Sequence, residues 1–438
     1  MKKTVVTFTV LTMLTALFAG CSSKKETGEA PGDHVKPEEA KPVELSVYRF
    51  RTNLTDDEFK RYFIEPVRSK YPHITLKMIV EDKGTTPEEL LASGNFPDIV
   101  FTSTSDLQRL KDYKVLQPLD EYVKKTNADL GKVNPTIIET LRQFGDRGEL
   151  PALPFSVGVG VMLYNKDIFD KFGEEYPRDG MTWDEVIQLS KRLSREDGGV
   201  RYIGFDPSEP ALIASQLSLS FVDLATSKSV IDSEEWKRVF QMVQQSYQAS
   251  GILGNEVPIG REVFIKDKTL AMFPLWADNF VGRFEDELKK GGFNLNWDMV
   301  ALPNFPEAVG TGREATTHSM VLSNLSKHKD EAFQVMAHML SDQVQSEMTK
   351  NGRVTPLASA DIQKLFGANL QNMKGKHVAA IFNATPRKMH KPSPYDQTIV
   401  RPEAWNAAVA IRKGQDLNTV IRTTKELVDK KIEAELKK

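Results

Sequence analysis

An α/β fold built on an open sheet is predicted for this chain, because strand and helix signals alternate along its first folded stretch. Glu44–Phe50 alternates, with Leu45 and Val47 on one side, as a half-buried strand does. Thr55-Asp-Asp-Glu58 is a capping box followed by Phe59, Phe63 and Val67 at helical spacing, and Pro66 is expected to kink or end that helix. Ile74–Val80 reads as a second strand. Thr86-Pro-Glu-Glu89 opens a short helix that Gly94 closes, and Pro97–Phe101 is a buried third strand running into the polar cluster Thr102–Ser105. In such sheets ligands lie beyond the carboxyl ends of the strands. The segments after Phe50 and after Phe101 therefore share one expected cleft edge.

Farther along, Thr182-Trp-Asp-Glu185 caps a helix carrying Val186, Leu189 and Leu193. Apolar stripes recur at Trp236, Phe240, Val243 and Tyr247, at Phe333, Met336, Ala337 and Leu340, and at Leu417, Ile421, Val428, Ile432 and Leu436. Each stripe reads as a core-facing helix. Trp183, inside its capping box, and Tyr164, at a strand end, read as structural.

The N-terminus has a different character. Lys2 and Lys3 precede an apolar run from Val5 to Phe18, too short and too broken by threonine for a membrane span, as in a secretory signal over residues 1–20. Ala19 and Gly20 then lead to Cys21, the chain's single cysteine, which rules out an internal disulfide framework. The string Leu17-Phe-Ala-Gly-Cys21 resembles a bacterial lipobox, which implies cleavage after Gly20 and a lipid on Cys21. A second acyl chain matters, because one alone holds a protein to a membrane only marginally. Residues 21–43 are rich in Lys, Glu, Gly, Pro and Ser and cannot bury enough surface to order themselves. As a flexible coil they reach on the order of 25 Å.

The body after residue 43 is long enough for two domains. A formal net charge of −2 without basic clusters argues against nucleic acid. Catalytic signatures are missing: Gly158-Val-Gly160 lacks a third glycine at Leu163, Gly375-Lys376 is followed by His377, and neither a His-Glu-x-x-His nor a Gly-x-Ser-x-Gly pattern occurs. Acid pairs such as Asp278 and Glu285 would suit glycoside hydrolysis. With 60 acidic residues, pairs of that kind arise without a catalytic role. Neither a metal nor a cofactor is expected, and the chain is not read as an enzyme.

Five blocks follow in order along the body: Ala92-Ser-Gly-Asn-Phe-Pro-Asp-Ile-Val100; Leu150–Pro154 leading to Leu163–Phe169 and Met181–Glu185; Phe264–Met272 with Trp276; Trp297–Pro303; and His318–Ser323. Together they resemble the extracellular solute-binding proteins of bacterial ABC importers, in the family that includes sugar binders. The resemblance spans nearly the whole body. It implies a two-lobed, type II periplasmic-binding-protein-like fold with a multi-strand hinge. The implied lobes are 44–154 with 313–357, and 155–312 with 358–438. It further implies a sugar or oligosaccharide ligand, ABC permease subunits as partners, a monomeric receptor, and a lipid-anchored place on the outer face of the cell membrane.

Candidate ligand residues follow from the cleft edge and from what a sugar offers, namely hydroxyls and an apolar ring face. Arg49, Arg51 and Asn53 follow the first strand, and the two arginines suggest room for an acidic sugar. Thr102, Ser103 and Ser105 follow the third strand. Ser156 and Gly158 lie where the chain enters the second lobe, Trp276 with Asp278 and Asn279 offers a plate and polar partners, and Tyr395 is a second candidate plate. A surface polysaccharide-acting enzyme and a ligand-binding subunit for a membrane sensor are the alternative functions.

Overall fold

A computed structural model describes residues 41–291 and 294–437, leaving aside the side chains at 279 and 283. The expected signal, Cys21 and most of the expected tether fall outside the described residues. From Pro42 onward the chain is one contact-dense unit that holds two five-stranded sheets.

The first sheet takes β1 (Val43–Arg49), β2 (Ile74–Val80), β3 (Ile99–Ser103) and β4 (Leu153–Gly158), joined by a strand from much later in the chain. The second takes β5 (Gly160–Asn165), β6 (Arg195–Asp197) and β7 (Val200–Phe205). A small hairpin of β8 (Val222–Asp223) and β9 (Lys228–Ser229) follows, and β10 (Leu270–Trp276) and β11 (Trp297–Ala301) complete the second sheet. Then β12 (Thr311–Glu314) leads into β13 (Thr316–Leu322), and β14 (Thr385–Arg387) pairs with β12.

The sheet orders are β2-β1-β3-β13-β4 and β11-β5-β10-β7-β6. In the first, β1 is parallel to β2 and β3, whereas β13 runs antiparallel between β3 and β4. The chain passes to the second sheet at Val159 and returns through β12, so adjacent segments link the two sheets. This is the two-lobed α/β architecture with a multi-strand hinge. The first sheet keeps β4 to Gly158, four residues beyond the expected lobe edge, because Ser156 to Gly158 still pair with β13.

Local sequence explains most elements. Thr55, Thr86 and Thr182 each complete a capping box with Glu58, Glu89 and Glu185. Pro66 does not end the first helix, which continues to Lys70. A π-helical turn at Lys60–Ile64 widens the helix just before it, where a proline ring would otherwise crowd the preceding turn. The third strand is displaced from its expected span: it starts at Ile99 and keeps Thr102 and Ser103 in the ladder with β13, and a helix opens directly at Thr104.

Asp98 ties these strands together. Its carboxylate accepts from the Ser46 amide at 2.9 Å, from Ser46 Oγ at 2.7 Å and from Ser326 Oγ at 2.6 Å, fixing β1, β3 and the turn after β13. Beside the second sheet Trp183, the first residue of the helix Trp183–Leu193, is fully buried against Phe205, and its indole N–H donates to Gln216 Oε1 at 3.1 Å. Gln216 in turn donates to the Pro303 carbonyl. The stripe at 236–247 is buried as expected, but the last helix turns Val420, Ile421, Thr424, Val428 and Ile432 inward and leaves Leu436 largely exposed.

Candidate ligand-binding site

A cavity of about 220 Å³ opens where the carboxyl end of β3, the end of β4, the start of β13 and the end of β10 come together. Ser103, Ser105, Gly158, Trp276 and Asp278 line it, so the structure brings five of the candidate residues to one place. Trp276 ends β10 and is the residue before the helix Ala277–Lys289, which sets its ring at the cavity rather than in the core. Gly158 makes room for that ring. A Cβ there would come within 3.3 Å of Trp276 Cε3 and 2.6 Å of Thr316 Oγ1. On the ring's face lies the Arg313 guanidinium, 4.6 Å from the centroid, in a cation–π contact. Arg313 is buried, and neither Nε nor Nη1 has a hydrogen-bond partner among the described residues. Burial pulls its pKa down to about 9, so it stays protonated at neutral pH.

Asp278 sits in the first turn of its helix, where the amide dipoles favour a carboxylate. Its Oδ2 is 4.0 Å from His318 Nδ1. His318 stacks on Phe101 and meets Ser156 Oγ at 3.1 Å. Burial, reinforced by the nearby Arg353 charge, pulls the His318 pKa down to about 3, so the ring is a neutral hydrogen-bonding group. Across the cavity, Ser103 Oγ and Ser105 Oγ lie 2.6 Å apart and both donate to Asp106, which also pairs with Arg51 at 3.1 Å.

The other candidates lie outside the lining. Arg49 donates to the Leu54 carbonyl, and Arg51 is committed to Asp106 with its backbone in the left-handed region (φ 50°). The Asn53 carbonyl accepts from Arg353 at 2.6 Å. Thr102 is fully buried in the β3 ladder, Ser156 lies behind His318, and Tyr395 packs half-buried against the core. The Asn279 side chain lies outside the described residues.

Sequence reasoning missed the far wall. Glu314, at the end of β12, and His390, after β14, both line the cavity and are both almost fully buried. Glu314 Oε1 accepts from His390 Nδ1 at 2.8 Å and from the His390 amide at 2.7 Å, while His390 Nε2 meets Asp396 Oδ2 at 3.0 Å. With a carboxylate at each ring nitrogen, the imidazole must donate twice, which only the cation does. Burial opposes the charge, but the bonds to Asp396 and Glu314 outweigh it and raise the pKa to about 9. Phe221 covers the ring at 5.0 Å. Arg401, also in the lining, is held by Glu209 Oε2 at 2.8 Å and 2.9 Å and by Gln397. No sequence pattern marks these residues, because they meet only when β12 pairs with β14.

A pH dependence follows. His390 carries a higher pKa folded than its ordinary 6.5, so its stabilisation is complete below about pH 6.5 and is lost as pH rises through about 9. Melting temperature is expected to fall between pH 7 and 9.5 in the native chain, by a loss on the order of 3 kcal/mol at most, and to stay much flatter in His390→Gln. Identical profiles for the two proteins in a calorimetric series would remove the assignment.

No described helix is long and apolar enough to cross a membrane, and among the described residues no group of three or more His, Cys, Asp or Glu side chains is arranged to hold a metal ion. A family model described as bacterial extracellular solute-binding protein matches residues 53–346. The arabinooligosaccharide-binding protein of Bacillus subtilis (strain 168) is 28% identical over 206 residues, 45% of this chain and 43% of that relative, so the match spans less than half of its length. Among solved structures, a sugar transporter from Rhizobium etli in an open conformation aligns with a TM-score of 0.70 at 20% identity, covering 88% of this chain and 99% of that one. An ABC substrate-binding protein from Listeria monocytogenes, in complex with cycloalternan, aligns at 0.69 and 16% identity, covering 90% and 99%. The fold, the interlobe cavity and the family match agree: this chain is a member of the bacterial extracellular solute-binding protein family, a binding protein and not an enzyme.

Proposed function

We propose that this chain is the membrane-anchored receptor of an ABC importer and that it captures a sugar or oligosaccharide by closing its two lobes around the cavity. The observation that carries the reading is the cavity itself, where Trp276 presents an aromatic plate beside the carboxylates of Asp278 and Glu314 and the hydroxyls of Ser103 and Ser105. Such a set matches a sugar, which needs an apolar surface for its ring and acceptors for its hydroxyls. The named ligands of the relatives, an arabinooligosaccharide and cycloalternan, support the same class.

The division into lobes follows the sheets. The first lobe takes the chain to Val159 and again from β13 to about residue 357, the second takes the rest, and closure bends the segments around Val159 and β12. Cys21 carries the lipid and the following segment is the tether; the permease reads the closed form.

Thermal-shift screening of the chain against mono- and oligosaccharides tests the ligand class. A sugar at one hundred times its dissociation constant stabilises the fold by about 2.7 kcal/mol. A shift with a peptide, polyamine or metal ion and with no carbohydrate contradicts the proposal.

A further inference from the structure

We infer that His390 is a positioning residue for the ligand: it clasps one oxygen of Glu314 and so turns the other to the cavity as a hydroxyl acceptor, and affinity falls when its ring loses a proton. This rests on the sugar-binding reading above and adds a residue and a proton linkage to it.

Two donors from His390, the backbone N–H and Nδ1–H, both fall on Glu314 Oε1. Glu314 lines the cavity, and its Oε2 has no hydrogen bond among the described residues. In an occupied cavity that oxygen is left for a ligand hydroxyl, since a buried acceptor without a donor is costly.

The backbone donor does not depend on the charge of the ring. Its neighbour Met389 is tied to the first lobe, donating from its amide to Thr140 Oγ1 at 3.3 Å and accepting at its carbonyl from Gln143 Nε2 at 2.6 Å. The Nδ1 donor does depend on it. A neutral imidazole carries one N–H, and the carboxylates of Glu314 and Asp396 both claim it. Asp396 has the stronger claim. It is buried, its Oδ1 has no partner among the described residues, and its Oδ2 accepts from His390 Nε2 and the Ser393 amide. Loss of the proton therefore falls on Nδ1, whose lone pair then faces Glu314 Oε1 and repels it. Glu314 turns, and the acceptor offered to the ligand turns with it.

The cations around the ring have partners of their own. Arg401, in the same lining, is held by Glu209 and Gln397, Arg387 donates to Ser218 Oγ, and Lys388 reaches Glu139. Phe221 covers the ring, while Asp278 and His318 face the cavity from the helix after β10 and from β13. Arg313, against Trp276, is the second group here whose pKa is drawn to about 9, and variants separate it from His390.

The test is titration calorimetry of the full chain with the tightest binder among neutral arabino-, malto- and manno-oligosaccharides, which bring no titrating group of their own. In the native chain affinity is expected to hold from pH 6.5 to 8 and to fall about fourfold by pH 9.5, the reciprocal of the fraction of His390 still protonated with a pKa of about 9. At pH 9 binding is expected to take up protons, read as a heat that changes with the ionisation heat of the buffer. Glu314→Gln and His390→Gln are each expected to weaken binding at least threefold at pH 7 and to flatten the profile. The double variant is expected to bind no more weakly than Glu314→Gln alone, because His390 acts through Glu314. If His390→Gln does not fold, the flat profile of Glu314→Gln carries the same comparison. A flat profile in the native chain overturns the inference and leaves sugar binding intact. So does a fall that persists in the variants, which gives the proton to Arg313 or another group, and so does an additive double variant, which makes His390 merely structural. If no oligosaccharide of the panel binds at any pH, the sugar-binding reading itself fails and this inference with it.

Discussion

Trp276→Ala is expected to weaken sugar binding by roughly 30- to 1,000-fold, since a buried aromatic plate contributes about 2–4 kcal/mol at a binding hot spot. The ring ends β10 and faces the cavity, Gly158 leaves the space it occupies, and Arg313 fixes its orientation from one face. Removing the indole also strips the cover from a buried guanidinium, so some stability is lost with it. Trp276→Phe separates the two effects: it keeps an aromatic surface over Arg313 and is expected to recover most of the affinity. Titration calorimetry with the preferred sugar measures both variants. A change below about threefold for Trp276→Ala would place the sugar elsewhere.

The second large effect is on stability. Arg353 is almost fully buried and donates to Glu58 through Nε at 2.6 Å and Nη2 at 2.9 Å, and to the Asn53 carbonyl at 2.6 Å. Burial works against the Glu58 carboxylate, but the hydrogen bond and charge of Arg353 outweigh it and hold its pKa below the ordinary range. Glu58 also completes the capping box with Thr55, so one carboxylate serves the helix start and the pair. Arg353→Met leaves that half-buried carboxylate without its partner and is expected to cost up to about 3 kcal/mol in urea unfolding. The double variant with Glu58→Gln is expected to cost less than the two single changes added together. A loss under 1 kcal/mol for Arg353→Met would mean that the pair behaves like an exposed one.

Much of the fold was legible because its signals are local. Capping boxes at Thr55, Thr86 and Thr182 begin helices where the sequence placed them, and the alternation of β1 appears in its buried Leu45 and Val47. Trp183 was read as structural and is part of the core. The site was legible only in part. Residues at the ends of β3 and β10 could be placed, because strand ends in an open sheet predict a cleft edge. Glu314 and His390 could not, since each is an ordinary residue in the sequence and they meet only through the pairing of β12 with β14, and Arg401 is set in the lining by the distant Glu209. Arg49 and Arg51 show the converse: they follow the right strand, yet nearby partners satisfy them before any ligand arrives.

If the ligand is a carbohydrate held in this cavity, a crystal structure with the most stabilising oligosaccharide will show it there. A sugar ring is expected to lie against Trp276, with hydroxyls within about 3 Å of the Asp278 and Glu314 carboxylates. A sugar found away from Trp276, or a cavity filled by a ligand that is not a carbohydrate, would contradict it.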